Sequence, residues 1–223
     1  SPNVVLNTIV AEAVKEAADE LEKADDFDMA LHDFNKRTMS EHKRIIFSGN
    51  GYSEEWVEEA ERRGLPNLKC GIDSVDSLIT DKAIRLFESF GVYTRAELES
   101  RAEIEYESYA KTVNIEAKTM IDMAGKQIIP AVIRYTANLA ESLTAVQTAC
   151  PEADTSVQKE LLLEASDPLS DMKTALARLT EETEKAAKVE GNKERAYAYH
   201  DIVTAAMEEL RRPADKLEMI VDK

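Results

Sequence analysis

Histidine, cysteine, glycine and basic charge are all in short supply in this chain, and each shortage removes a class of function. Of 223 residues only 3 are histidine and 2 are cysteine. Cys70 and Cys150 lie far apart with no second cysteine near either, so neither a CxxC redox pair nor a zinc knuckle can be built locally. Two packed, reduced thiols in a cytoplasmic protein are expected instead. None of His32, His42 and His200 has a glutamate three residues before it; those positions hold Met29, Met39 and Tyr197. That removes the Glu-x-x-His signature of a di-iron bundle. Acidic side chains outnumber basic ones 44 to 28, for a formal net charge of -16. Such a balance repels nucleic acid and anionic membranes unless the cations cluster. The one dense basic patch, Lys36, Arg37, His42, Lys43 and Arg44, is short and interleaved with Glu41. We therefore expect no nucleic-acid partner and no membrane partner. No apolar run approaches the roughly eighteen residues needed to span a bilayer, and the N-terminus lacks the form of a signal peptide. The chain opens on Ser1-Pro2, as a processed or excised polypeptide would.

What the sequence does have is helix formers at three-four apolar spacing. Its 7 glycines are concentrated, with Gly49, Gly51, Gly64 and Gly71 close together. From Asn3 onward Leu6, Ile9, Ala13, Ala17 and Leu21 form one stripe, which predicts an amphipathic helix that must rest on something. A second helix is expected after Asp26, burying Phe27, Leu31 and Phe34. Thr94 with Glu97, and Thr155 with Gln158, fit the capping box that opens a helix. The first of these helices runs toward Ala149, with a break expected near Gly125 and Pro130. Leu169, Met172, Leu176, Leu179, Thr183 and Ala186 form a heptad-like seam, and Ser166-Asp167-Pro168 reads as a fresh helix start. A last helix follows Gly191 and Asn192, carrying Tyr199, Ile202, Ala206, Leu210, Leu217 and Ile220, with Pro213 kinking or splitting it. No strand alternation is evident. The fold class is all-α: a long-helix bundle with an irregular connector around residues 49–73. Residues 1–93 and 94–223 are read as two regions.

Gly49 and Gly51 in IIFSGNGYSEEW have the layout of a phosphate loop, but Ser53 reads as a helix N-cap followed by Glu54 and Glu55. Those carboxylates complement the helix dipole and would repel a phosphate. Arg62, Arg63, Gly64 and Pro66 supply the matching stop. Asp28 and His32 share a helix face as solvated neighbours rather than metal ligands. Glu99, Glu103 and Glu107, with Arg95 and Lys111 at the ends, read as a solvated face or a subunit contact. Tyr106, Tyr109 and Tyr135 read as core. Cys70, Ser74 and Ser77 have no neighbouring histidine to activate them. No catalytic, cofactor-binding or metal-binding residue is assigned.

Certain strings carry more than composition. "HKRIIFSGNGYSEEWVEEAERRGLPNL", "GVYTRAELESRAEIEYESYAKTVNIEAKTMIDMA" and the opening "SPNVVLNTIVAEA" closely resemble the C-terminal part of the type III glutamine synthetases, the long-chain bacterial class. The likeness extends from Ser1 to about Ala140 and more loosely beyond; KCGIDSVDSL, Lys69 to Leu78, departs from the usual pattern. The resemblance implies a parent ligase that makes glutamine from glutamate, ammonia and ATP with magnesium or manganese, its ligands lying in motifs upstream of Ser1. It also implies that this region packs on the upstream catalytic domain and contacts other subunits of a homo-oligomer. An independent helical scaffold, binding a protein partner through the Leu169 to Ala186 seam, is the alternative.

Overall fold

The computed structural model describes residues 2–221, and among them only helices, turns and loops occur. The chain divides into two compact units, one through Ala102 and the other from Glu103; each is described by itself. No helix among the described residues is long and apolar enough to cross a membrane.

The first unit contains α1 (Pro2–Leu21), α2 (Phe27–Glu41), a 3-10 turn at Lys43–Ile45, α3 (Glu54–Arg62), the short α4 (Gly71–Val75), α5 (Asp81–Ser89) and the start of α6 (Arg95–Met123). Local signals set the boundaries. Asp26 caps α2 by accepting the Met29 N–H at 3.0 Å, and Ser53 caps α3 by accepting the Trp56 N–H at 3.4 Å. At the end of α3 the Gly64 N–H donates to the Glu61 carbonyl and the Leu65 N–H to the Ala60 carbonyl, both at 2.9 Å. That Schellman pairing needs a left-handed residue, and Gly64 supplies it at φ 69°. Thr94 and Glu97 form the predicted capping box: the Thr94 N–H donates to Glu97 Oε2 at 2.8 Å, and the Glu97 N–H to Thr94 Oγ1 at 3.3 Å. After α2 the chain makes the 3-10 turn at Lys43–Ile45 and becomes extended at Ile46.

A small core gathers Ile84, Phe87 and Leu98, against which Val4, Val5, Ile79, Ala83, Val92 and Tyr93 pack. Phe87 and Tyr93 meet with ring centroids 5.5 Å apart, and Arg101 covers Tyr93 at 4.3 Å. Phe27 departs from expectation. It is 56% exposed, while Leu31 and Phe34 are half-buried, so only part of the α2 stripe is covered.

The second unit continues α6 and adds α7 (Ile129–Ala149), α8 (Ser156–Ala186), α9 (Asn192–Ala198) and α10 (Thr204–Glu218). Tyr106, Ala110, Val113 and Ala117 form the buried stripe of α6 in this unit, spaced at three and four, and Ala124 continues it seven residues on, just past the helix end. The expected break near Gly125 and Pro130 is a π-helical turn over Ala124–Ile128, in which the Ile129 N–H reaches the Ala124 carbonyl. Pro130 has no N–H, so one α-helical bond must be lost here, and the wider turn absorbs that loss.

Three expectations are corrected. Pro168 starts no new helix: α8 runs unbroken from Ser156 to Ala186 with Pro168 inside it. Ala165 and Met172 on either side are fully buried, and packing on both sides outweighs one missing hydrogen bond. The last helical segment changes geometry not at Pro213, which lies inside α10 and is buried, but at a second π-helical turn, Tyr199–Val203. The buried side runs through Tyr199, Val203, Ala206 and Leu210, and Ile202, expected on it, is 45% exposed. Thr155 makes no box with Gln158; its hydroxyl accepts from Gln147 Nε2 at 3.3 Å, and Asp154 accepts the Ser156 N–H at 2.9 Å instead. Of the α8 seam as read, Met172, Leu176, Leu179, Thr183 and Ala186 are buried and Leu169 is half-buried, and α8 packs on α7 and α10. Arg178 and Glu209 pair at 2.5 Å between α8 and α10.

Candidate functional site

The first helix is apolar around much of its circumference, and the structure uses only one side. Val4 and Val5 turn into the core, and Thr8 is buried with its hydroxyl donating to the Val4 carbonyl at 2.8 Å. The rest of the apolar surface is open. Leu6, Ile9, Val10 and Val14 are 60%, 49%, 59% and 63% exposed, and at spacings of three and four they form one continuous face. Of the stripe expected from sequence, Leu6, Ile9 and Ala13 lie on this open face, while Ala17 and Leu21 are half-buried. Val10 and Val14 were not counted in that stripe, although their spacing of four from Leu6 is a readable signal. β-branched residues such as Ile9, Val10 and Val14 are weak helix formers, so local helix preference does not account for them here. Further along the helix Lys15 pairs with Asp19, and Glu20 takes a two-point contact from Arg37 of α2 at 3.0 and 2.6 Å.

The glycine pair forms no phosphate cradle. Asn50 Oδ1 accepts the Tyr52 N–H at 3.0 Å, turning the chain into Ser53 and α3. Around the turn, Phe47 stacks on Trp56 with centroids 4.3 Å apart, and Arg63 lies over the other ring at 5.6 Å. Glu59 receives Arg62 at 2.6 Å and Arg63 at 2.5 Å. Those two guanidinium groups hold its carboxyl down at about 2.

The carboxylates on α6 are similarly engaged. Arg95 lies 3.8 Å from Glu99, and Lys111 pairs with Glu107 at 2.7 Å. Glu103 accepts from Asn192 Nδ2 at 2.8 Å, tying α6 to α9 within the second unit. Tyr106 is buried as expected, whereas Tyr109 and Tyr135 are half-buried. Tyr109 and Tyr197 both approach the His200 ring, at 6.1 and 6.3 Å. His200 Nδ1 lies 2.7 Å from Asp201. Of the two thiols, Cys70 is half-buried but Cys150 is exposed, at the end of α7 where the chain turns outward; this corrects the expectation that both pack. Asp28 and His32 are exposed. No group of three or more His, Cys, Asp or Glu side chains gathers to hold a metal among the described residues.

Comparison with known proteins places this geometry in context. The glutamine synthetase C-terminal domain family matches residues 30–147. A glutamine synthetase of Butyrivibrio fibrisolvens is 37% identical over 186 residues, covering 83% of this chain and 27% of that protein. The type-3 glutamine synthetase of Dictyostelium discoideum is 36% identical over 148 residues, 65% of this chain and 20% of its own length. A glutamine synthetase of Bacteroides fragilis (strain YCH46) is 34% identical over 202 residues, covering 87% and 27%. The chain thus spans about a quarter of the length of the curated relatives it matches. By these matches, which cover more than half of its residues, this chain belongs to the glutamine synthetase C-terminal domain family.

Proposed function

We propose that this chain is a non-catalytic C-terminal part of a type III glutamine synthetase, a packing and assembly element of a cytoplasmic enzyme that makes glutamine from glutamate, ammonia and ATP. The observation that carries this reading is the open apolar face of α1. A face of Leu6, Ile9, Val10 and Val14 is unfavourable in water and suits burial on another surface. In this reading residues 1–93 are the helical end of the catalytic region with its connector. Residues 94–223 are a bundle available for contact with other subunits.

ATP and magnesium or manganese belong to the parent reaction, and the residues of this chain do not fit them. The helix start that a phosphate would use carries Glu54 and Glu55 in its first turn. Glu59, Glu99, Glu103 and Glu107 are engaged by arginine, lysine or asparagine, an arrangement for surface or inter-helix contact rather than for a dication. No reaction step is therefore assigned to these side chains. The scaffold alternative loses its surface, because the Leu169 to Ala186 seam is taken up by α7 and α10.

An assay of ATP- and ammonia-dependent glutamine formation tests the non-catalytic reading. The 223-residue chain is expected to be inactive, and robust turnover by it would overturn the proposal. In a longer enzyme carrying the same segment, Val10→Asp combined with Val14→Asp should weaken assembly, read by gel filtration and light scattering. Assembly that survives both changes would remove α1 as the packing element.

A further inference from the structure

The first unit holds a cationic groove that composition does not reveal. Two residues of the basic patch seen in sequence, Lys43 and Arg44, are brought by the fold against Arg62 and Arg63 at the far end of α3, around an open groove of about 650 Å³. Arg63 is its fixed wall: Nη1 donates to the Ile46 carbonyl at 2.8 Å and to the Arg44 carbonyl at 3.1 Å. Its guanidinium also meets Glu59 and the Trp56 ring. Arg62 is oriented by a two-point contact to Glu59, both distances 2.6 Å. Glu59, the carboxylate in the groove lining, is therefore already engaged, and Lys43 and Arg44 add their cations to the partly engaged Arg62. In a chain of net charge -16, three or four cations facing one groove form a local reversal of sign. Two apolar side chains, Met39 (60% exposed) and Ile46 (44% exposed), flank them.

The chemistry of the rim selects the ligand. A compact phosphate is held best by backbone N–H groups at a helix start. This groove lies instead at helix ends: Met39 and Ser40 are in the last turn of α2, and Arg62 and Arg63 close α3. Backbone groups offered at helix ends are carbonyls, so positive charge comes only from long side-chain tips. Cations on long stems beside apolar patches, in an open groove, match carboxylates spaced along a chain with an apolar side chain between them. We propose that this groove binds an acidic polypeptide segment whose carboxylates pair with Lys43, Arg44 and Arg62 while an apolar residue rests on Met39 and Ile46.

The chain carries its own reporter, since Trp56 is its single tryptophan and stands against Arg63 at the groove wall. The probe is a fluorescein-labelled synthetic peptide of alternating glutamate and leucine, titrated into the full 223-residue protein and followed by anisotropy and Trp56 emission. Saturable binding is expected, weakening about tenfold as salt rises from roughly 50 to 500 mM, because exposed ion pairs are screened. The double change Lys43→Glu with Arg44→Glu should weaken it by about tenfold or more. The milder Lys43→Gln with Arg44→Gln should weaken it less, and circular dichroism checks the fold of both. Val10→Asp with Val14→Asp should leave binding unchanged, which separates the groove from the open face of α1 and keeps this result independent of the assembly reading. Equal binding of a glutamine–leucine peptide would overturn the proposal, as would charge reversal without effect. Displacement by inorganic phosphate at micromolar concentration would make this a small-anion site, and tighter binding of a single-stranded oligonucleotide would make it a nucleic-acid site; either result also overturns it.

Discussion

Gly49 and Gly51 are two positions apart and obey different constraints. A Cβ on Gly49 would stand 2.5 Å from Cζ of Phe47, and that ring cannot swing away without leaving Trp56. A Cβ on Gly51 would meet nothing within 4 Å. Gly49→Ala is therefore expected to cost about 1 kcal/mol, the worth of a disturbed aromatic pair, and to shift Trp56 emission toward the red. Gly51→Ala should change stability by less than about 0.5 kcal/mol. Urea unfolding followed at Trp56 checks both, and equal effects would contradict the assignment. Glu59 gives a pH prediction at the same scale. Its folded carboxyl titrates at about 2 rather than at its usual 4.5, so its contribution is fully present above about pH 4.5 and is lost as pH falls toward 2. Because Arg63 joins Glu59 to Trp56, emission from Trp56 should follow that acid limb, and Glu59→Gln should flatten it. The Ser53 cap, the Gly64 stop and the Thr94–Glu97 box were legible because each is a donor–acceptor relation within a few residues. The stacking of Phe47 on Trp56 and the grip of Arg63 on two carbonyls were not. They depend on where a loop of no regular period returns.

At the scale of elements, the prolines show how far a local rule reaches. Pro130 directly follows a π-helical turn, in the first turn of α7, while Pro168 lies inside an unbroken α8. The rule that proline breaks helices is the same for both. The difference is the apolar stripe, which continues through Ala165, Leu169 and Met172 and holds the two halves of α8 in line against their neighbours. Pro168→Ala restores a hydrogen bond and removes a ring clash, set against the greater freedom of the unfolded chain. We expect a net gain of about 1 to 2 kcal/mol with helicity unchanged, measured by urea unfolding and circular dichroism. A loss of stability would show that the proline ring packs in a way alanine cannot replace. The helix class, the α8 seam and the break before Pro130 were readable from period and breaker residues. The π-helical turn at Tyr199–Val203 was not, because no proline or glycine lies within it. The buried stripe passes through it at ordinary three-four spacing, Tyr199, Val203, Ala206 and Leu210, so the period gives no sign of it.

For the molecule as a whole, two surfaces of opposite character should respond to salt in opposite directions. The groove at Lys43 and Arg44 acts through charge, so added salt weakens what it holds. The α1 face acts through apolar burial, and here net charge is the opponent: copies of a chain at -16 repel one another at low ionic strength. Screening that repulsion leaves the apolar gain, which at about 25 cal/mol per Å² needs only a few hundred Å² to matter. The 223-residue chain by itself is therefore expected to self-associate more as salt rises from roughly 50 to 500 mM, read as an increase in weight-average mass by light scattering. Val10→Lys with Val14→Lys should abolish the association. It should also leave the unfolding midpoint within the scatter of surface changes, because both side chains are open to solvent while Val4 and Val5 carry the contact with the core. Association that weakens with salt would mean charge pairing rather than apolar contact joins the copies. A chain that stays monomeric throughout, with α1 still helical, would show that this face tolerates water and would remove the main support for its role as a packing surface.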